Sequence, residues 1–329
     1  MSIDLGKALH VAVQATRTAS VVCRRVQSNL VTAETLEKKD KSPVTVADFA
    51  SQAVVCKALA EAFPDVPVVG EEDSKDLREE GAATLRAAVT EHASSVVAGG
   101  PDEGQVLEWI DHGGWTPDGS QSTYWTLDPI DGTKGFLRGE QYAIALGLIQ
   151  DGQVVLGVLG CPNLSDGALP GIMMTAVRGR GTGLVQIDDA GEPRPVRVSS
   201  AATTQESRFC ESVESGHSDQ GTSARIAEAL GISAEPYRID SQCKYAAVAR
   251  GDAEIYLRLP TSEEYREKIW DHAAGSIVVE EAGGTVTDVH GNALDFSKGR
   301  KLESNQGIIA TSGPFHDEVV AAVKAARGG

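Results

Sequence analysis

Apolar residues recur at helical spacing from the start of the chain. Leu5, Ala8, Ala12, Ala15, Ala19, Val22 and Val26 share one face, which predicts an amphipathic helix over residues 4 to 28. The pattern breaks at the lysine-rich stretch EKKDKSP (37 to 43), read as a loop. It resumes at Phe49, Ala53, Cys56, Ala60 and Phe63, a second helix that Thr45 can cap and Pro64 ends. VPVVGEED (66 to 73) reads as a short buried strand that runs out at Gly70 into three acids. Residues 75 to 109 have a helical texture and carry no readable chemistry; DHGGWTPDGS (111 to 120) has the composition of a loop.

From Thr123 the period becomes that of strands. YWTL leads into the turn-rich run DPIDGT, with Pro129 expected to stop the strand and hold Asp128 and Asp131 in a bend. YAIALGLI (142 to 149) and VVLGVLG (154 to 160) flank Asp151-Gly152 as a hairpin. GIMMTAVRGRGTGLVQI (171 to 187) reads as a second hairpin. Its GRGTG lacks both the Lys-Ser/Thr ending of a phosphate loop and the GxGxxG spacing, so a plain turn is the better reading. After residue 200, helices and strands alternate. A helix spans 219 to 230, AEIYLRL (253 to 259) is a strand, and a helix runs from Asp271 to Ala282. GTVTDV (284 to 289) and GIIATS (307 to 312) are strands, and a last helix begins at Pro314. There is no internal repeat. The expectation is an α/β protein with an α+β N-terminal domain over 1–200 and an α/β C-terminal domain over 201–329.

Composition narrows the function. The 329 residues are 41% apolar and 23% charged, as in an ordinary globular chain. Forty-seven acids against 30 bases give a net charge of −17, a poor match for nucleic acid or an anionic membrane. A small phosphorylated substrate remains compatible, provided metal ions or a local basic cluster reverse the field at the site. The five cysteines are scattered without CxxC spacing, so reduced thiols are expected. No apolar run has spanning length and no signal segment follows the start, so a soluble cytoplasmic protein is the expectation. No exposed apolar stripe stands out, and a monomer is expected.

Carboxylates stand at the ends of regular elements in four places: Glu71 and Glu72, Asp128 and Asp131, Asp48, and Asp271. Hard divalent cations take such oxygen ligands, with the carbonyl of Ile130 as a further donor. Gly132-Thr133 opens a short helical stretch whose N–H groups suit a phosphate. Taken singly, each has an ordinary explanation: a turn, a helix-terminus charge, a solvated acidic loop.

Together, VVGEED, WTLDPIDGTKGF and IWDHAAG (269 to 275) resemble the three signatures of the lithium-sensitive, magnesium-dependent phosphatases related to inositol monophosphatase. DPIDGTKGFLRGEQYAIALGLI, VESGHS (213 to 218), DSQCKYA (240 to 246) and YLRLP (256 to 260) are similar to the 3′(2′),5′-bisphosphate nucleotidase branch. The likeness spans nearly the whole chain in order, although residues 95 to 122 follow no wording of the family. It implies a layered αβαβα sandwich and two or three Mg²⁺ ions. Glu71, Asp128 and the Ile130 carbonyl would hold one ion; Asp128, Asp131 and Asp271 would hold the second. Asp48 and Thr133 would take the proton of a metal-activated water attacking the 3′-phosphorus in line. Gly132, Thr133, His217, Ser218, Ser241, Lys244, Arg258 and Asp271 would contact the substrate, adenosine 3′,5′-bisphosphate, and the sulfated form of that nucleotide is also expected to be accepted. An inositol phosphate as substrate, a non-catalytic nucleotide and metal sensor, and an acidic scaffold are the alternatives; no nucleic-acid or membrane partner is expected.

Overall fold

Helix α1 (Leu5–Ser28) buries Ala8, Ala12, Ala15, Ala19, Val22 and Val26 along one face, the stripe its periodicity marks. The computed structural model describes residues 3–28, 35–37, 43–167, 169–189, 191–213, 220–260 and 262–328. A two-stranded antiparallel ribbon, β1 (Thr35–Glu37) with β2 (Pro43–Thr45), precedes helix α2 (Val46–Ala62), which packs on α1. Periodicity gives α2 one buried face, yet it is buried nearly all round, Val54, Val55 and Leu59 included. The cause lies after residue 75. Helices α3 (Ala83–Ser94) and α4 (Glu103–Asp111) cover the side of α2 that would otherwise meet water.

A seven-stranded sheet follows in sequence order: β3 (Val68–Gly70), β4 (Thr123–Asp131), β5 (Ala143–Gln150), β6 (Gln153–Asp166), β7 (Leu169–Val177), β8 (Gly181–Gln186) and β9 (Arg194–Val196). Strand β3 is parallel to β4 and every other neighbour is antiparallel. Both expected hairpins form. Asp151 and Gly152, each with positive φ, turn β5 into β6, and the turn between β7 and β8 is the glycine-rich one.

The chain then builds a five-stranded sheet in the order β11-β10-β12-β14-β13. Its strands are β10 (Phe209–Glu211), β11 (Tyr237–Arg238), β12 (Ile255–Arg258), β13 (Thr285–Thr287) and β14 (Ile308–Thr311). The remaining helices are α5 (Thr133–Leu137), α6 (Gln220–Ala229), α7 (Cys243–Ala249), α8 (Ala273–Glu281) and α9 (His316–Ala326). Helix α8 begins two residues later than its periodicity suggests, which leaves Asp271 and His272 in the turn before it.

Three apolar cores separate the layers. One lies between α1/α2 and the large sheet, one encloses α7 and α8 between the two sheets, and one lies between the small sheet and α6/α9. This is the expected αβαβα order. The large sheet is covered on both faces, so β5 reads as an unbroken apolar run instead of an alternating one, and β4 is buried at seven consecutive positions. All five cysteines are buried and free.

His316 ties the far edge of the small sheet to α9. Its Nε2 lies 2.9 Å from the Thr287 hydroxyl and its Nδ1 2.9 Å from that of Thr311. Burial lowers its pKa from the ordinary 6.5, and the Asp317 carboxylate opposes this only in part. The unfolded chain therefore takes up this proton more readily than the folded one. The contribution to stability is complete above about pH 6.5 and is lost as pH falls from there towards the folded pKa. His316→Gln should lower stability at neutral pH by roughly 1 kcal/mol through the lost hydrogen bonding. It should lose less than the parent on acidification, as urea midpoints on either side of that pH will show.

Candidate active site

The DPID run owes its geometry to a fault in a strand. Sequence alone ends β4 at Pro129, but the strand continues to Asp131 with a slipped register. Asp128 pairs with Ala145 and Asp131 with Ala143, so Pro129 and Ile130 together oppose a single residue. Residues three apart on a regular strand point to opposite faces; one extra residue cancels that parity. Both aspartates consequently line the same cavity. Proline is tolerated because a bulge leaves an N–H unpaired and proline has none to leave. Its carbonyl accepts the Ser51 hydroxyl of α2 at 3.0 Å, and Asp128 Oδ1 accepts the Ile130 N–H at 3.1 Å.

Gly132 follows with φ of 90°, and a Cβ there would come within 2.8 Å of the Ser241 Cβ. Ser241 is itself left-handed, at φ of 66°, and its hydroxyl accepts the Cys243 N–H at 3.1 Å. A non-glycine residue in that region is strained, and such strain gathers at functional sites.

Glu71 stands just past β3, its N–H donating to the Leu127 carbonyl at 3.1 Å. The buried amide of Gln52 holds the next residue from both sides. It donates to the Glu72 carbonyl at 2.6 Å and the Ile110 carbonyl at 2.9 Å, and accepts the Glu72 N–H at 3.0 Å. Residues around 110, which match no wording of the family, thus support the acidic strand end. Arg300 donates to the carbonyls of Gly70 and Trp115 and lies over the Trp270 ring, 4.6 Å from its centroid. It links the end of β3 to the residue before Asp271.

Gln242 joins the remaining pieces. Its N–H donates to the Asp131 carboxylate; its side chain donates to the Trp270 carbonyl at 2.9 Å and accepts the Gly275 N–H at 3.2 Å. The glycine of IWDHAAG has a steric cause, since a Cβ on Gly275 would stand 2.1 Å from the Tyr245 ring. With the ring seated there, the Tyr245 hydroxyl reaches His272 Nδ1 at 2.8 Å.

These elements enclose a cavity of about 210 Å³. Glu71, Asp128, Ile130, Asp131, Gly132, Thr133, Ser241, Lys244, Arg258 and Asp271 all meet at it. Asp48 is buried on α2 behind this lining, close enough to affect the Asp128 carboxyl. The Thr133 hydroxyl donates to the Ile130 carbonyl at 3.4 Å. His217 and Ser218 lie outside the described residues. Sequence reasoning passed over Lys134, Gly135, Asp240, Gln242, Tyr256 and His272, which also line the cavity. All six fall inside stretches it had already singled out, DPIDGTKGF, DSQCKYA, YLRLP and IWDHAAG, so the signal was there.

The cavity lining is strongly acidic. Asp128, 2% exposed, has its pKa raised first by burial and then by Glu71, Asp131, Asp271 and Asp48. Asp271 is raised by burial, Asp131, Glu71 and Glu267. Asp131 is raised by burial, against the pull of Lys244 and the Gln242 N–H. Among the described residues none of these three aspartates forms an ion pair. Buried carboxylates that repel one another, with a backbone carbonyl among them, are the hard-oxygen donor set a divalent cation needs. Glu267, Asp271 and His272 also approach within 4.8 Å, but Glu267 is already engaged by Arg258 Nε and His272 Nε2, each at 3.3 Å.

Lys244 and Arg258 line the same cavity. Lys244 is 4% exposed, with its ammonium 5.3 Å over the Tyr256 ring. Burial lowers its pKa, Asp131 partly restores it, and it forms no ion pair among the described residues. Arg258 stays charged against burial because Glu267 attracts it.

A model of the inositol monophosphatase family matches residues 4–327. The chain belongs to the inositol monophosphatase family. It is 45% identical over 343 aligned positions to a 3′(2′),5′-bisphosphate nucleotidase of Schizosaccharomyces pombe, covering 99% of this chain and 96% of that protein. It is 45% identical to one from Oryza sativa, covering 96% and 93%, and 40% identical to one from Dictyostelium discoideum, covering 98% and 97%. Among solved structures it resembles an IMPase of Thermotoga maritima, with a TM-score of 0.66 at 23% identity over 97% of this chain and 98% of that one. An inositol monophosphatase from Anabaena gives 0.64 at 20% identity over 98% and 96%, which supports the fold. Enzymes of the family are metal-dependent, and no helix among the described residues is long and apolar enough to cross a membrane.

In this family member the acidic cluster is costly without cations. Asp128→Asn keeps the acceptor for Ile130 and removes one repelling charge. In chelator it should be more stable than the parent by roughly 1–3 kcal/mol. Thermal unfolding with and without Mg²⁺ checks this: the variant should lose most of the cation-induced rise that the parent displays.

Proposed function

We propose that this chain is a divalent-cation-dependent 3′(2′),5′-bisphosphate nucleotidase. It removes the 3′-phosphate of adenosine 3′,5′-bisphosphate to give AMP and phosphate, with Mg²⁺ as the cation, and it also accepts the sulfated nucleotide. The observation that carries this reading is a cavity lined by both signs of charge: Glu71, Asp128, Asp131 and Asp271 together with Lys244 and Arg258. A substrate with one phosphate to lose and a second to keep suits both sets at once. The names of the full-length relatives support the nucleotide over other bisphosphates.

Glu71, Asp128, the Ile130 carbonyl, Asp131 and Asp271 would hold the cations. Bound Mg²⁺ supplies charge neutralisation at the phosphate and acidifies water. The chain's own residues do the rest. Thr133 Oγ would take the proton of the attacking water as its own hydroxyl proton passes to the Asp48 carboxylate, since a threonine hydroxyl alone is too weak a base. Gly132 leaves room for the phosphate beside the backbone. Lys244 and Arg258 bind the 5′-phosphate through charge-assisted hydrogen bonds, and Ser241, held in its left-handed turn, helps orient the nucleotide. His217 and Ser218 are assigned to the nucleotide as well.

The test is phosphate release from adenosine 3′,5′-bisphosphate and from inositol 1-phosphate, side by side, with Mg²⁺, with added Li⁺, and in chelator. Mg²⁺-dependent turnover of the nucleotide, abolished in Asp128→Asn, is expected. Lys244→Met should cut kcat/KM for the bisphosphate by about 10- to 100-fold, the worth of a charged hydrogen bond. Turnover of the inositol ester alone would overturn the nucleotide assignment, and no turnover of either would overturn the enzyme.

A further inference from the structure

Glu267 takes no part in the chemistry above, yet it is 2% exposed and sits against three residues of the cavity lining, Arg258, Asp271 and His272. Its backbone is fixed by the Leu302 N–H, which donates to its carbonyl at 2.9 Å. Oε1 accepts from Arg258 Nε and Oε2 lies against His272 Nε2, each at 3.3 Å. A carboxylate only accepts, so Nε2 carries a proton; Nδ1 of the same ring is held by the Tyr245 hydroxyl. Both oxygens of Glu267 are thus anchored to groups that are themselves in place.

Burying a carboxylate is expensive, and a well-packed apolar residue is often as stable there. Its presence needs a reason beyond stability, and Arg258 supplies one. The guanidinium is within electrostatic reach of Asp271, each favouring the charge of the other. An untethered arginine beside buried carboxylates would pair with them and neutralise the donors that cations require. Glu267 occupies the Nε edge and holds the plane of the group, and Arg258, which the Tyr265 side chain also contacts, lines the cavity as a guanidinium suited to a phosphate.

We infer that Glu267 is a positioning residue that tethers Arg258 and so keeps its guanidinium from pairing with Asp271 and the other carboxylates that would hold cations. The identity of the second anion rests on the proposed nucleotidase activity; the separation of Arg258 from the carboxylates does not.

The experiment measures two quantities that need no turnover. One is the Mg²⁺ concentration for half-maximal thermal stabilisation. The other is the affinity for AMP, which carries the retained phosphate alone, by calorimetry. Glu267→Gln should raise the Mg²⁺ midpoint about tenfold and weaken AMP by a similar factor, the worth of one charged interaction in each case. In Glu267→Gln/Arg258→Met the intruding group is gone, so the Mg²⁺ midpoint should return to within about twofold of the parent. AMP binding should stay lost. A merely structural role predicts no such recovery. An unchanged Mg²⁺ midpoint in Glu267→Gln, or no recovery in the double variant, overturns the tether. Glu267→Asp, which keeps the charge but shortens the reach, should move both readings in the same directions and serves if the glutamine variant does not fold. Parent protein that binds Mg²⁺ but no AMP would sink the nucleotide reading and leave the Mg²⁺ comparison to decide on Glu267.

Discussion

Mutual repulsion between buried carboxylates is the constraint around which this molecule is arranged. Asp128, Asp131 and Asp271 each have ionisation opposed by burial, and Asp128 and Asp271 by neighbouring acids as well. Like charges in a poorly polarisable interior repel far more strongly than in water. Left to themselves the strand ends that carry them would move apart. They are held by neutral hydrogen bonds: Ser51 on the Pro129 carbonyl, Gln52 around Glu72, Gln242 between Asp131 and Trp270. Amides and hydroxyls can brace such a cluster without discharging it. A lysine in any of these places would brace it more tightly and remove its affinity for a cation.

The layers explain why the bracing comes from so many parts of the chain. The carboxylates stand at the end of β3, in the bulge of β4 and in the turn before α8, where the large sheet meets the helices packed between the sheets. Helix α2 reaches the site from the other face of that sheet through Ser51 and Gln52, and it can do so because α3 and α4 keep it dry. The small sheet contributes β12, whose last residue is Arg258. That stacking brings carboxylates from β3, β4 and the turn before α8 to one cavity with Arg258 from the other sheet.

Much of this was legible in the sequence, and the failures have physical causes. Long periodic elements such as α1 and the two hairpins were plain because their burial is one-sided or their turns are marked by residues that favour positive φ. Three-residue strands such as β10 carry too few positions for a period to show, and α7 is buried along its whole length, which erases one. The DPID run was recognised as a device for charge, but Pro129 was taken as a stop. A bulge and a stop look alike in sequence, since both place proline where a ladder hydrogen bond is missing. Gln52 and Gln242 were invisible as support because a glutamine reads as a surface residue until its amide is found bonded to backbone on both sides.

Two neighbouring carboxylates here differ in whether the chain supplies the opposing charge. Glu267 and Asp271 are near neighbours in space. Glu267 faces Arg258 and His272, and those partners hold its carboxyl below the ordinary range although burial favours the opposite. Asp271 faces further acids, and its carboxyl is pushed well above that range. One has its countercharges built into the chain; the other forms no ion pair among the described residues. Spacing and residue type are alike for both. The difference lies in the strand that ends at Arg258, which delivers its guanidinium to one carboxylate and not to the other.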